Sequence, residues 1–160
     1  MDKTLLSIGH GYSAQALAKR LLPQGWRIVG TTRSADKMDE IAATGVEPFV
    51  WPGADLGALL ASFPNILVSA GPGPDGDPVL NAAYDDIARA APDLRWLGYL
   101  STTGVYGDHG GGWVDENTPL TPSTKRGQAR VEAEARWQGI PDLPLHIVRL
   151  AGIYGPGRGP

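Results

Sequence analysis

The stretch Thr4-Leu5-Leu6-Ser7-Ile8-Gly9-His10-Gly11-Tyr12-Ser13-Ala14 decides the fold of this 160-residue chain. Its beginning, Thr4–Ile8, is an apolar run that predicts a buried strand. The run leads directly into Gly-x-Gly-x-x-Ala, and residues 13–22 then carry apolar side chains at helical spacing. A strand, a glycine turn and a helix in this order form the dinucleotide-binding fingerprint, of which Gly-x-Gly-x-x-Ala is an accepted variant.

Each small residue of the fingerprint has a physical role in this prediction. Gly9 allows the tight turn from strand to helix, Gly11 lets the backbone approach a pyrophosphate, and Ala14 lets the helix pack closely on the sheet. The free N–H groups at the start of the helix attract the phosphates. The other interpretation is a glycine-rich turn without a ligand. The residues predicted to contact the cofactor here are Gly9, His10, Gly11, Tyr12, Ser13 and Ala14.

Outward from this turn, short apolar runs alternate with amphipathic segments. Further strands are predicted at 27–31, 47–50, 65–69, 96–101 and 145–150, and further helices at 36–43, 56–62, 78–91 and 123–138. A long loop is predicted at 104–121. Because parallel strands need crossover helices, this order predicts one Rossmann-type α/β domain over 1–160. Its doubly wound parallel sheet is expected to have the strand order 3-2-1-4-5-6, with helices on both faces.

The composition excludes several classes of protein. Charged residues make up 19% of the chain and the formal net charge is -3, without a dense basic cluster, so neither nucleic acid nor an anionic membrane is an expected partner. The chain has no cysteine, which excludes disulfides and thiolate nucleophiles, and no metal site is predicted. The apolar runs are too short to cross a membrane. The first residues show no secretory pattern, and the expected location is cytoplasmic.

The segment after the second strand bears on which dinucleotide is bound. A site for NAD usually has an acidic residue here to hold the ribose 2′-hydroxyl, whereas this chain has Thr32, Arg33 and Ser34. Because a guanidinium donates a planar fork of hydrogen bonds to a phosphate, we expect NADP as the cofactor, with NAD as the alternative. An exposed arginine on an ordinary loop is the other interpretation. After the fourth strand, three small residues are predicted to pass close to the ligand, namely Ala70, Gly71 and Pro72.

Two further segments give the chain a resemblance to a known family. Residues 99–107 read Tyr-Leu-Ser-Thr-Thr-Gly-Val-Tyr-Gly, and residues 149–158 read Arg-Leu-Ala-Gly-Ile-Tyr-Gly-Pro-Gly-Arg. With the glycine turn, they are similar in kind and order to motifs of the extended short-chain dehydrogenases/reductases. The chain looks most like an atypical, NAD-dependent epimerase/dehydratase-like branch of that family. The resemblance implies an oxidoreductase or a nucleotide-sugar epimerase or dehydratase that binds a dinucleotide and an unknown small-molecule substrate.

The resemblance also carries implications for the size and assembly of the protein. Extended members of the family continue beyond this point, so the C-terminal substrate-binding part is expected to be absent and the chain truncated after the sixth strand. The family commonly dimerises through its fourth and fifth helices. This implies a homodimer through 78–91 and 123–138.

Three catalytic positions follow from the resemblance. In the family, a Ser or Thr on the fifth strand orients a substrate hydroxyl, a Tyr is the general acid/base, and a Lys four residues later holds the nicotinamide ribose and lowers the pKa of the Tyr. The Ser/Thr position falls on Thr102, and the Tyr and Lys positions hold Arg126 and Arg130. Because a guanidinium stays protonated, Arg126 cannot be the base, while Arg130 can still donate to ribose hydroxyls.

These two arginines leave three interpretations open. The chain is an NADP-dependent enzyme with another acid/base, for which His109 is one candidate. It is a non-catalytic protein that reports NADPH level or redox ratio to a partner. Alternatively, Arg126 and Arg130 bind an anionic group beside the nicotinamide, since they lie on adjacent turns. Four other residues are expected to have structural or surface roles: Tyr106 and Tyr154 in loops, and Glu132 and Glu134 on a solvated helix face.

Overall fold

The computed structural model describes residues 2–159, so Met1 and Pro160, the ends of the predicted domain, lie outside the described residues. Its strands are β1 Thr4–Ile8, β2 Arg27–Thr32, β3 Glu47–Val50, β4 Asn65–Val68, β5 Trp96–Thr102 and β6 Leu145–Leu150. Its α-helices are α1 Tyr12–Leu21, α2 Met38–Ala43, α3 Leu56–Ser62, α4 Pro78–Ala90 and α5 Lys125–Gln138. The strands form one sheet in the order β3-β2-β1-β4-β5-β6, and every neighbouring pair is parallel. The predicted Rossmann-type fold and strand order are confirmed.

The ends of some elements shift slightly from the predicted ones, and capping side chains set two of them. Helix α5 begins at Lys125 instead of 123, since the Thr124 hydroxyl accepts a hydrogen bond from the Gly127 N–H at 2.9 Å. The predicted loop begins with a short 3₁₀ turn, Thr103–Val105, which the Thr102 hydroxyl caps. The predicted second helix is a 3₁₀ turn followed by α2.

Alternation along the strands divides the core into two layers. In β1, Leu6 and Ile8 point to a buried cluster with α3, α4 and α5, whereas Leu5 points to a second cluster with α1 and α2. Successive side chains of a strand face opposite sides of the sheet, so a run that is apolar at every position predicts burial on both faces. The two layers hold the sheet between the helices and leave the carboxyl ends of its strands free.

A buried carboxylate links α4 to α5. Asp77 Oδ1 accepts hydrogen bonds from the N–H groups of Val79 and Leu80, which caps the start of α4. Its Oδ2 accepts a hydrogen bond from Trp137 Nε1 at 2.9 Å, and both side chains are almost fully buried. One side chain therefore satisfies donors of two helices at once.

A buried ion pair joins β5, α5 and β6. Glu134 is 1% exposed, and its carboxylate accepts two hydrogen bonds from Arg149, at 2.7 and 3.2 Å, and one from the Ser101 hydroxyl at 2.6 Å. Arg149 Nη1 also donates to the Tyr106 hydroxyl at 3.1 Å. The pairing raises the pKa of the Arg149 guanidinium above its usual range, so it stays charged.

The expectation that Glu134 lies on a solvated helix face is therefore wrong. The helical spacing of charged residues on α5 suggested exposure, but that pattern carries no information about a cation on a distant strand. Glu132, two residues earlier, is exposed as expected and accepts a hydrogen bond from the exposed Gln128. The expected structural role of Tyr106 agrees with its hydrogen bond from Arg149.

We expect Glu134→Gln to lower the free energy of unfolding by about 2–4 kcal/mol, because it leaves the largely buried Arg149 charge without its counterion. The exposed control Glu132→Gln, on the same helix, should change it by less than about 0.5 kcal/mol. Urea unfolding followed by circular dichroism measures both. Equal stability of the two variants would show that the ion pair does not hold β6 to the fold.

Candidate dinucleotide-binding site

The turn between β1 and α1 is held between two neighbouring strands. Gly9 has a φ of +77°, and a Cβ atom at this position would lie 2.9 Å from the Ala70 nitrogen at the end of β4. On the other side, Thr31 of β2 accepts the Gly9 N–H on its hydroxyl at 2.8 Å and the His10 N–H on its carbonyl at 3.1 Å. Position 9 therefore requires glycine, both for its positive φ and because a Cβ would collide with Ala70. The contacts with Ala70 and Thr31 fix the turn relative to the sheet.

A cleft of about 790 Å³ opens beside this turn, at the carboxyl ends of β1, β2 and β4. This is where doubly wound sheets bind ligands, and the volume is in the range of small-molecule sites. Of the residues predicted to contact the cofactor, those that line the cleft are Gly9, His10, Gly11, Tyr12, Thr32, Arg33, Ser34, Ala70 and Gly71.

Three of the predicted residues do not line the cleft. Ala14 is 2% exposed and packs in the α1–α2 layer, which is the packing role expected of it. Ser13 faces a separate apolar hollow beside Tyr154, and Pro72 lies outside the cleft lining. The lining residues that sequence reasoning missed are Ile8, Gln15, Thr31, Lys37, Glu40, Ile41, Thr44, Trp51, Pro52 and Pro78.

Gly11 differs from Gly9 because nothing in the fold requires it to be glycine. Its φ of -99° lies outside the left-handed region that favours glycine, and an added Cβ atom would meet only the Gly9 carbonyl oxygen, at 3.7 Å. As the N-cap of α1 it has no side chain to satisfy the first N–H groups of the helix. Space and free donors thus coincide at one point, which fits a pyrophosphate group.

Cationic side chains lie at the β2 side of the cleft. Arg33 and Lys37 both line it and are exposed, and neither side chain has a hydrogen bond or an acidic partner within residues 2–159. The Thr32 hydroxyl accepts the Ser34 N–H at 3.2 Å and holds the turn that presents them. Glu40 is the acidic residue of the lining.

The catalytic positions inferred from the resemblance are spread over the end of β5 and the start of α5. The Thr102 hydroxyl accepts the Gly104 N–H at 3.2 Å, and Arg126 is exposed. Arg130 Nη1 donates to the Leu100 carbonyl at 2.8 Å and to the Tyr99 hydroxyl at 3.1 Å. A Cβ atom at Gly71 would lie 2.6 Å from Arg130 Nη2, so this guanidinium reaches the loop that lines the cleft.

Neither Tyr99 nor His109 is placed as a substitute acid/base. Tyr99 is fully buried, and burial raises its pKa to about 12 despite the charge of Arg130 beside it. The ring of His109 is held by a 2.9 Å hydrogen bond between Nε2 and the Tyr106 carbonyl, in which the ring donates. Both groups are thus committed to the packing around β5.

The described part of the chain, residues 2–159, lacks two kinds of feature. No helix in it has the length and hydropathy needed to cross a membrane. No three His, Cys, Asp or Glu side chains in it come together in a group that could hold a metal ion.

Two relatives match nearly the whole length of the chain. No family model matches the chain. Protein YeeZ of Escherichia coli (strain K12) is 29% identical over 169 residues, which cover 99% of this chain and 61% of YeeZ. A conserved protein of unknown function from Silicibacter pomeroyi DSS is 58% identical, with a TM-score of 0.92, over 98% of this chain and 55% of that protein. The chain thus spans little more than half the length of either relative.

Solved structures that are described as epimerases or dehydratases share the fold of this chain. A protein from Methylobacillus flagellatus, provisionally described as an NAD-dependent epimerase/dehydratase, is 28% identical, with a TM-score of 0.72, over 98% of this chain and 56% of that one. UDP-glucuronic acid 4-epimerase from Bacillus cereus, in complex with UDP-glucuronic acid and NAD, is 19% identical, with a TM-score of 0.71, over 91% of this chain and 55% of that one. The latter likeness shows the fold alone. The structural neighbours are NAD-dependent epimerase/dehydratase proteins, which confirms the resemblance inferred from the motifs.

Proposed function

We propose, from this likeness to NAD-dependent epimerase/dehydratase proteins, that the chain binds NADP(H) in the cleft between β1, β2 and β4. The observation that carries the proposal is Gly11, which the fold itself does not need. A glycine with an ordinary φ and an open Cβ position, directly before a helix with free N–H groups, is explained by a pyrophosphate that approaches the backbone. The Bacillus cereus enzyme, which has the same fold, carries NAD in its crystal.

Substitution of the two glycines separates ligand binding from folding. We expect Gly11→Ala to weaken NADPH binding at least about tenfold, or about 1.4 kcal/mol, because its Cβ would occupy the space of the pyrophosphate. Its free energy of unfolding should stay within about 1 kcal/mol of the wild type, since φ there is negative and an added Cβ meets no atom closer than 3.7 Å. Gly9→Ala, in contrast, should lose about 1–3 kcal/mol of stability through its positive φ and its contact with Ala70.

NADPH binding is measured by the fluorescence of the reduced nicotinamide, and stability by urea unfolding. Undiminished binding by a stable Gly11→Ala variant would contradict the proposed position of the pyrophosphate. A wild-type chain that binds neither NADPH nor NADH would contradict the proposed function itself.

The preference for NADP over NAD rests on the charges of the cleft. Within residues 2–159, Arg33 and Lys37 are two cations without a hydrogen-bonding or acidic partner, and they lie where the adenosine ribose is expected. No acidic residue follows directly after β2 in the sequence. A ribose 2′-phosphate is the group that such cations favour, whereas a 2′-hydroxyl calls for a carboxylate. Glu40 lies further along, on α2.

We expect the wild-type chain to bind NADPH more tightly than NADH, and Arg33→Ala to weaken NADPH binding about tenfold while NADH binding changes little. Arg20→Ala is the matched control, because it removes an equal charge from the last turn of α1, outside the cleft lining. Titrations of the wild type, Arg33→Ala and Arg20→Ala with NADPH and NADH measure these affinities. Tighter binding of NADH than of NADPH by the wild type would contradict the proposed preference.

For the chemistry of the site, we propose an oxidoreductase or a nucleotide-sugar epimerase or dehydratase, in which the bound dinucleotide accepts or supplies hydride. Thr102 would orient a substrate hydroxyl, and Arg130, which reaches Gly71 at the cleft, would donate to the nicotinamide ribose. The UDP-glucuronic acid in the Bacillus cereus complex makes nucleotide sugars the first substrate class to try.

A second candidate function is a non-catalytic dinucleotide-binding protein. It is favoured by one observation, namely that the position of the family's general base holds an exposed Arg126, whose guanidinium offers hydrogen-bond donors and no acceptor. Two other implications of the resemblance stay predictions: the homodimer through 78–91 and 123–138, and a separate C-terminal substrate-binding part.

Single-turnover assays distinguish the two candidate functions. For the enzyme, we expect the absorbance of the reduced nicotinamide to change with a nucleotide sugar or a small carbonyl, and Thr102→Val to slow that change at least about tenfold through loss of its hydroxyl. Thr103→Val, at the exposed neighbouring threonine, is the matched control. Tight binding of NADPH without turnover on the whole panel would favour the second candidate.

A further inference from the structure

The side chain of His10 is buried at the β2 side of the cleft. It is 8% exposed, and a Cβ atom at Gly30 would lie 2.8 Å from His10 Cγ. The imidazole therefore lies directly on Gly30, two residues before β2 ends at Thr32. This places the ring on the side of the turn from which Arg33 is presented, where the adenosine ribose of a dinucleotide is expected.

One ring nitrogen of His10 is paired inside the protein and the other is not. Nδ1 shares a 2.9 Å hydrogen bond with the hydroxyl of Ser7, which is 1% exposed on β1. Nε2 has no partner within residues 2–159, yet the buried side-chain polar atoms without a partner in that range are only Thr4 Oγ1 and Ser69 Oγ. His10 Nε2 therefore keeps its access to the cleft, which His10 lines.

Packing alone does not explain this arrangement. A ring that only filled the space above Gly30 would need no polar atoms, whereas this ring is oriented by Ser7 and leaves Nε2 accessible to a ligand in the cleft. The Ser7 hydroxyl has no other hydrogen-bond partner in the described chain, so it is free to donate to Nδ1. With Nδ1 as acceptor, the neutral ring carries its hydrogen on Nε2 and presents a donor to the cleft.

We propose that His10 Nε2 donates a hydrogen bond to the ribose 2′-phosphate of bound NADP(H), with Ser7 as the positioning residue that sets the ring and its tautomer. The inference rests on the proposed function, and it adds a neutral donor to the cations Arg33 and Lys37 of the same cleft. His10 would thereby help to select NADP over NAD, because a 2′-hydroxyl makes a weaker bond with the same donor than a charged phosphate does.

Burial supports the neutral form of this donor. Desolvation lowers the pKa of His10 below its ordinary value, and the charged groups that share the cleft with it are Arg33, Lys37 and Glu40. A neutral ring can donate from only one nitrogen, so the pairing of Nδ1 with Ser7 decides which atom faces the ligand.

Two isosteric substitutions separate the two nitrogens of the ring. The amide of Asn occupies the place of Nδ1, so His10→Asn keeps a partner for Ser7 and removes the Nε2 donor. The amide of Gln reaches the place of Nε2, so His10→Gln keeps the donor and removes the partner of Ser7. The exposed His146 on β6 supplies the control, His146→Asn. Dissociation constants for NADPH and NADH, and the midpoint of thermal unfolding, are measured for each chain.

We expect His10→Asn to weaken NADPH binding about tenfold and NADH binding much less. The ratio of the NADH dissociation constant to the NADPH dissociation constant then falls. His10→Gln should stay within about threefold of the wild-type ratio, and His146→Asn should equal it. Ser7→Ala should lower the ratio to an intermediate value, since the tautomer is no longer set.

A wild-type ratio in folded His10→Asn would overturn the inference. If that variant does not fold, Ser7→Ala decides instead: a folded Ser7→Ala protein with the wild-type ratio would overturn it equally. Failure of the proposed function is distinct, because then the wild-type chain itself binds neither dinucleotide.

Discussion

The site depends on the close approach of one turn to two strands. Gly9 lies so near Ala70 that no side chain fits between them, and Thr31 holds the other side of the turn through its hydroxyl and its carbonyl. Because the turn is held by β4 and by β2, the start of α1 has a fixed position at the carboxyl ends of the strands. That constraint has three consequences for the site. It leaves the Cβ position of Gly11 open, it directs the first N–H groups of α1 toward the cleft, and it packs the His10 ring against Gly30.

A second constraint, the buried pair of Glu134 and Arg149, changes the meaning of the motifs that carry the family resemblance. Tyr106 and Arg149 come from the two later motifs, and their side chains meet each other and Glu134 across β5, α5 and β6. The pair is stable because both carboxylate oxygens of the buried Glu134 accept hydrogen bonds from the Arg149 guanidinium. These motif residues therefore have a role in the fold, because they join β5 and β6 to α5.

The cleft and the positions that the resemblance marks as catalytic lie in different parts of the sheet. The cleft opens at the carboxyl ends of β1, β2 and β4, beside the glycine turn, whereas Thr102, Arg126 and Arg130 belong to β5 and α5. Arg130 donates to the Leu100 carbonyl and the Tyr99 hydroxyl, and burial raises the pKa of Tyr99 to about 12. The proposed binding of a dinucleotide and the proposed chemistry therefore rest on separate groups of residues.

The strand order and the glycine turn were predictable from residues alone, because they depend on local apolar runs, on crossover handedness and on the space that a glycine leaves. Most of the cleft lining near the turn was predictable for the same reason. The burial of Glu134 was not, since Arg149 is distant in sequence and meets it only when β6 joins the sheet. The bond of His10 to Ser7 was hidden too, because a strand pattern does not tell which polar side chain the turn will cover. Tertiary contact decided both, since a buried polar group takes whichever partner the folded chain brings within reach.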